Sequence, residues 1–360
     1  MSLAQPKRIL IIKLRHHGDV LLSTPVVDAL KTRFPDCEID MLVYAGTEQL
    51  IADNPQITQV FTIDRNWKKL GVFKQLACEK NLFSKLKARD YDWAFNLSDQ
   101  WRAAIIAKLC ARCSVGLDCI KRDGFWWRFC HDFINHELDT SHHIVENQLN
   151  ILAPLIQPED VADAKVRLWV AQDARESMQQ KLREQGWSGE DYVLLHPGAR
   201  WHFKCWEDGK NAAIVQLLLN SGQNVVLTAS PDTVEQYMLQ EIIGRLNIPE
   251  GRKVYVLSGC LSLRELAAAI EGAKLFVGVD SAPMHIAAAL DKPQIALFGA
   301  SWLDKWRPYS EQAEVIYAGD YAELPHPDSI DTNDPTRLLK AIPLQDVWDR
   351  ISAKLEALEA

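Results

Sequence analysis

The sequence has no apolar run long enough to cross a bilayer. Its longest runs, Arg8-to-Ile12 and Gln294-to-Phe298 with their neighbours, are strand-length, against the ~20 residues a spanning helix needs. The amino terminus, Met-Ser-Leu-Ala-Gln-Pro-Lys-Arg, has no apolar h-region and no cleavage site, so a secretory signal is not read there and a cytoplasmic protein is expected. The first strand-to-helix loop lacks the G-x-G-x-x-G of dinucleotide enzymes, which weakens a nicotinamide reading. Among eight cysteines, Cys110 and Cys113 form a close couple, followed by Cys119 and Cys130. Structural zinc sites pair two such couples. No second couple exists, so no metal is expected, and the thiols of a cytosolic chain are expected to be reduced. There is no fixed-period repeat and no low-complexity tract.

What is present suits two folded domains. The chain has 360 residues, 48% of them hydrophobic, enough for two well-buried cores of roughly 170 residues each. Charge is uneven. Residues 1–136 carry 20 Lys+Arg against 15 Asp+Glu, a net of +5, and the rest carry 20 against 33, a net of −13. A basic front half can face an anionic partner. No nucleic-acid partner is expected.

Apolar runs alternate with helical spacing in both halves. Arg8-to-Lys13, Ile39-to-Tyr44, Val60-to-Ile63, Asp92-to-Leu97 and Val115-to-Leu117 read as strands. Asp19-to-Arg33 and a segment from about Gln100 read as helices. Residues 120–165 break the rhythm, with a Trp- and Arg-rich loop, a helix around His143-to-Leu155 and a linker containing Pro158. Strands then recur at Tyr192-to-His196, Asn224-to-Thr228, Lys253-to-Leu257, Leu275-to-Val279 and Gln294-to-Phe298. Helices between them cover Lys210-to-Leu219, Pro231-to-Leu246, Leu263-to-Glu271 and Ala282-to-Leu290. Leu344-to-Leu358 reads as an amphipathic helix burying Val347, Trp348, Ile351, Leu355 and Leu358. This rhythm predicts an α/β fold of two doubly wound parallel sheets, with domains 1–165 and 166–343 and a terminal helix 344–360. Ligands of such folds bind at the carboxyl ends of the strands.

Three loops at such ends carry chemistry-bearing residues. In Lys13-Leu-Arg-His-His-Gly-Asp19, Gly18 permits a tight turn and Asp19 can cap the next helix. The same Asp19, crowded by Arg15, His16 and His17, suits proton transfer. Arg15 is expected to keep it ionised. In His196-to-Trp206, Lys204 and Arg200 can hold a diphosphate, one as a point charge and the other as a fork. In Asp280-Ser-Ala-Pro-Met-His285, the amides of a helix start suit a phosphate, Ser281 adds a hydroxyl, and His285 lies in the first turns. Trp67, Trp101, Trp126 and Trp127 can stack on sugars or pack in a core.

Lys13-to-Pro25, His196-to-Trp206 and Asp280-to-Gly299, with Leu257-to-Ile270 and Leu227-to-Pro231, together resemble the ADP-heptose:lipopolysaccharide heptosyltransferases, glycosyltransferase family 9. The resemblance runs from Lys7 to about Pro308. The Arg15-to-Leu22 version looks most like the type III branch, which adds a branch heptose to the inner core. The resemblance implies a GT-B architecture, two Rossmann-like domains facing across a cleft, and an inverting reaction without metal or cofactor. It implies Asp19 as catalytic base and Lys204 on the donor phosphates, helped by Arg200, Ser281 and Ala282. Asp280 and His285 match residues around the donor sugar, and Thr228, Ser230 and Glu235 lie where ribose or adenine is contacted. The donor would be ADP-L-glycero-D-manno-heptose. The acceptor would be the lipopolysaccharide inner core, met by Gly18, Arg15, His17, Lys121, Arg122 and Arg128, with Arg65, Lys68 and Lys69 as further cations. Its lipid anchor implies peripheral contact with the cytoplasmic membrane face. Departures are His16 and His17, where many members have small residues, Ser281 for a frequent threonine, and Glu207 for a common proline. The alternatives are addition of heptose I or II, a Rossmann epimerase or oxidoreductase, and a non-catalytic nucleotide-sugar-binding protein.

Overall fold

A computed structural model describes residues 5–118, 122, 124–157, 159, 161 and 163–359. Lys121, Cys119 and Pro158 of the sequence reading lie outside the described residues. The chain forms two compact units, Met1–Trp169 and Val170–Ala360.

The front unit holds strands β1 (Arg8–Lys13), β2 (Glu38–Tyr44), β3 (Gln59–Ile63), β4 (Tyr91–Asn96), β5 (Ala111–Asp118) and β6 (Phe133–His136), with helices α1 (His17–Leu21), α2 (Thr24–Arg33), α3 (Val72–Ala88), α4 (Trp101–Cys110), α5 (Phe125–Phe129) and α6 (Ile144–Asn150). The back unit holds α7 (Gln172–Arg183), β7 (Tyr192–His196), α8 (Asp208–Asn220), β8 (Asn224–Ala229), α9 (Thr233–Ile243), β9 (Val254–Ser258), α10 (Leu263–Gly272), β10 (Leu275–Val279), α11 (Ala282–Ala289), β11 (Gln294–Phe298), α12 (Leu303–Trp306), β12 (Ala313–Tyr317) and α13 (Leu344–Glu359).

Each unit is built on a six-stranded sheet, ordered β3-β2-β1-β4-β5-β6 in front and β12-β11-β10-β7-β8-β9 in the back. All pairings are parallel. Counted within its own unit, each sheet has the same doubly wound order, and the winding reverses between β1 and β4 and between β7 and β10. Such switch points leave a crevice at the strands' carboxyl ends. The central strands are continuous apolar runs because helices cover both faces. Ile9 and Ile11 face one front core, and Leu10 and Ile12 the other.

The single helix read over Asp19-to-Arg33 is two, broken at Leu22 and Ser23. Pro25 has no N–H for the carbonyl of Leu21. The Thr24 hydroxyl takes that carbonyl at 2.8 Å, and the Ser23 hydroxyl takes Val20 at 2.6 Å. In α13, Val347, Ile351 and Leu355 enter the back core and Trp348 packs against it, but Leu358 stays exposed one turn too far along. Six elements escaped the sequence reading, the short helices α5 and α12 and four that bury little. Helix α3 buries only Leu82 and Leu86. Edge strands β6 and β12 bury nothing and Ile316 alone. Helix α7 buries only Ala174, Met178 and Leu182. Cys110 and Cys113 are core residues whose thiols burial pushes up to about 11. Among the described residues no group of His, Cys, Asp and Glu is placed to hold a metal ion.

Candidate active site

The front switch point is stapled from both sides. The Leu14 N–H donates to Ser98 Oγ at 2.6 Å, and Gln100 Nε2 to the Leu14 carbonyl at 2.8 Å. Lys13 Nζ donates to the Leu97 carbonyl at 3.2 Å, and Arg15 to Asp99 at 2.8 Å. The loops after β1 and β4 are therefore tied together, and α1 starts from this base. Asp19 is not its cap. His16 occupies that position, without a side-chain cap bond, and Asp19 is the third helical residue. There the open amides of the first turn favour a negative charge. Gly18 is the second helical residue rather than part of a tight turn.

The cation beside Asp19 is also not the one expected. Arg15 is committed to Asp99. Lys13 lies instead 3.9 Å from the Asp19 carboxylate, and the two side chains are 5% and 21% exposed. Burial holds the Lys13 ammonium below its ordinary pKa, while Asp19 pulls it back toward the charged form. A lysine closing an otherwise apolar strand was the signal for this residue, because a buried ammonium needs a partner. His17 is kept neutral by burial and then by neighbouring His16 and Arg65, against the pull of Glu48. Its Nδ1 is buried with no hydrogen-bond partner among the described residues.

Beside this loop opens a cavity of about 280 Å³, with His16, Tyr44, Arg65, Trp67, Lys68 and Arg102 in its lining. The Arg65 guanidinium lies 4.1 Å from the Tyr44 ring centre, and the Tyr44 hydroxyl donates to Gln100 at 2.5 Å. Three cations, Arg65, Lys68 and Arg102, against one carboxylate, Asp64, give the pocket a net positive lining. Arg122 donates to the Asp99 carbonyl at 2.7 Å, with its guanidinium 5.7 Å from the Trp101 ring centre, so it braces the same loop. Arg128 pairs with Asp118 at 3.0 Å, at the end of β5. Trp127 is a core residue whose N–H meets the Leu117 carbonyl at 3.0 Å, whereas Trp126 is exposed.

In the back unit, Lys204 and Asp280 meet at 2.5 Å across the β7 and β10 ends. Here the carboxylate is the deeper partner, 6% exposed against 15% for the lysine. Ser281 caps α11 by position only, since its hydroxyl donates to the Val279 carbonyl at 3.2 Å instead. The first amides of a helix, aligned with its dipole, suit an anion. His285 is buried in the second turn of that helix and Ala282 opens it. Arg200 is exposed, 5.8 Å from the Trp201 ring centre.

Beneath them, His196 Nδ1 lies 2.9 Å from the Thr228 hydroxyl, and Glu235 accepts from the Ser230 N–H at 2.9 Å. Burial lowers the His196 pKa against the attraction of Glu235. A Cβ at Gly198 would fall 2.6 Å from the Glu235 carboxylate, so any side chain there has to displace Glu235. Thr228 and Glu235 are themselves buried, so they support His196 and the Ser230 turn from behind. Sequence reading did not single out this His196 support.

Two doubly wound, six-stranded parallel sheets in tandem are the architecture of GT-B glycosyltransferases. Residues 80–336 match the model of glycosyltransferase family 9 (heptosyltransferase). Lipopolysaccharide heptosyltransferase 3 of Escherichia coli is 37% identical over 93% of this chain and 95% of its own length. A family 9 glycosyltransferase structure from Veillonella parvula superposes with a TM-score of 0.83 at 21% identity, covering 99% of both chains. The structure of E. coli ADP-heptose lps heptosyltransferase II gives 0.77 at 23% identity, covering 98% of this chain and 100% of that one. The chain belongs to glycosyltransferase family 9, as its loops had indicated.

Proposed function

We propose that this chain transfers L-glycero-D-manno-heptose from ADP-heptose to the heptose region of the lipopolysaccharide inner core, as a type III enzyme. The 37% identity to an E. coli heptosyltransferase 3 along nearly the whole chain supports the substrates. The observation that carries the mechanism is the contrast between the two charged pairs. In front the carboxylate of Asp19 is the accessible member, and in the back the ammonium of Lys204 is.

Asp19 takes the proton of an acceptor hydroxyl as that oxygen attacks the anomeric carbon of the donor. Lys13, 3.9 Å away, holds the carboxylate in place. ADP leaves in one displacement, so the anomeric centre inverts. The charge growing on its diphosphate is met by Lys204, swung from Asp280, by Arg200, and by the Ser281 and Ala282 amides at the start of α11. No metal enters these steps. Asp280 and His285 border the donor sugar. Ser230 contacts the nucleoside, on a turn held by Thr228, Glu235 and His196. The acceptor's anionic groups sit in the cavity of Arg65, Lys68 and His16, with Arg15, His17, Gly18, Arg122 and Arg128 as further contacts on the front unit. Such an acceptor is lipid-anchored, which puts the chain at the cytoplasmic membrane face by peripheral contact. No helix among the described residues is long and apolar enough to cross a membrane.

The test is incubation with ADP-heptose and truncated core acceptors, with a metal chelator present, followed by linkage and anomeric analysis. One heptose added to an inner-core heptose, with inversion, is expected. Addition to the first core sugar, retention of configuration or dependence on a metal would each overturn the corresponding part.

A further inference from the structure

The connections β3-to-β4, β4-to-β5 and β5-to-β6 all cross the front sheet in the same direction. Right-handed crossovers therefore put α3, α4 and α5 on one face. Packing agrees, since α3 touches α4 and Trp101 at the head of α4 meets Trp127 of α5, ring centres 5.5 Å apart. This layer does not turn a polar surface outward. Val72, Phe73 and Leu76 of α3, and Phe125, Trp126 and Phe129 of α5, are each at least 60% exposed. The three α5 rings touch one another at 5.4 to 6.5 Å. Between them, Ile105 and Leu109 of α4 are also exposed. Isolated exposed apolar residues are ordinary, but a run of them across three adjacent helices marks an interaction surface.

The charge around it says what the partner is. Residues 65–76 contain Arg65, Lys68, Lys69 and Lys74 and no acid. All seven residues from Lys68 to Lys74 are exposed. Helix α3 buries only Leu82 and Leu86, both in its second half, so its first turns pack on nothing in the front core. Phe73, Leu76 and Lys80, spaced three and four apart, form one stripe. Exposed aromatic and aliphatic tips within a basic collar fit the headgroup region of an anionic bilayer. A second copy would bring the same cations face to face, which disfavours self-association.

We propose that the outer surface of α3, α4 and α5 is a membrane-docking face that inserts these apolar tips among anionic lipid headgroups. It rests on the reading of the chain as acting on a lipid-anchored acceptor, and it adds the surface by which the chain reaches that acceptor. Docking through the front unit brings the acceptor cavity beside Arg65 and Lys68 close to the bilayer.

The experiment is co-sedimentation of the full chain with vesicles of phosphatidylethanolamine and phosphatidylglycerol, and with phosphatidylcholine alone. Wild type is expected to partition onto the anionic vesicles and to be released by added salt. Phe73→Ser/Leu76→Ser should reduce that partition about tenfold or more, and Lys74→Glu/Lys80→Glu should do so on anionic vesicles. Both variants change exposed groups and should keep wild-type turnover on a water-soluble, delipidated acceptor while losing it on an acceptor embedded in vesicles. Equal vesicle binding by wild type and variants, or none by wild type, would overturn the proposal. So would a wild type that self-associates through these residues while the variants stay monomeric. Failure of every protein to transfer heptose to the soluble acceptor would instead refute the proposed activity and leave the vesicle result to stand on its own.

Discussion

The two units share a winding order and differ in how they use it. Each places a lysine and a carboxylate at its switch point. In front, Lys13 is sunk and the Asp19 carboxylate stays partly open at 3.9 Å. In the back, Asp280 is sunk and Lys204 closes on it at 2.5 Å. One unit therefore presents a negative group and the other a positive one. The lesson is that burial depth, rather than residue type, decides which half of an ion pair is left open to solvent and ligand. The deeper partner is desolvated and held by the pairing, while the shallower one keeps its access to solvent. The wider charge runs the other way, +5 in residues 1–136 and −13 beyond, so each exposed member is opposite in sign to the net charge around it.

The largest effect should come from the open carboxylate. Asp19→Ala is expected to lower turnover by ~10²–10⁴-fold, the contribution of one general base. Steady-state rates at saturating substrates check this, and wild-type turnover would remove Asp19 from the mechanism. Next comes the closed pair. Lys204→Ala leaves the Asp280 carboxylate buried and unpaired, so it should weaken ADP binding by about 10–100-fold, the size of a charge-assisted hydrogen bond. It should also destabilise the back unit by about 3 kcal/mol. Lys204→Ala/Asp280→Asn should recover the stability without the affinity. Recovery of both would make the pair purely structural, as denaturation and ADP titration on one preparation can tell.

Lys13→Met sharpens the front half. Turnover should fall about tenfold with ADP affinity unchanged, because one neighbouring charge is lost while the base remains. A smaller effect concerns acid stability. Burial alone would raise the Glu265 carboxyl, but hydrogen bonds from Lys181, Ser177 and Ser262 outweigh it and bring it from 4.5 to about 2. A depressed carboxyl contributes stability that is complete above its unfolded pKa. That contribution, roughly 2–3 kcal/mol, should disappear as the pH falls from about 4.5 toward 2. Glu265→Gln should remove it, so thermal melts of the variant should lose the extra acid sensitivity of wild type in that window.

Sequence reading recovered the central strands because they are buried on both faces and so form unbroken apolar runs, as β10 and β11 do. It missed elements whose burial is slight, such as β6 and the first half of α3. It placed Asp19, Lys204 and Asp280 on loops after strands, and those strands flank the switch points. It could not assign partners. Arg15 is closer to Asp19 in sequence than Lys13 is, but the loop after β4 supplies Asp99 and takes Arg15 away. Nor could spacing show that the Thr228 hydroxyl meets His196, a partner 32 residues away in sequence.

The division of labour is tested most directly by titrating ADP into Asp19→Ala and Lys204→Ala side by side. The account predicts wild-type affinity for the first and a loss of about tenfold or more for the second. Equal losses in both, or full affinity in Lys204→Ala, would contradict it.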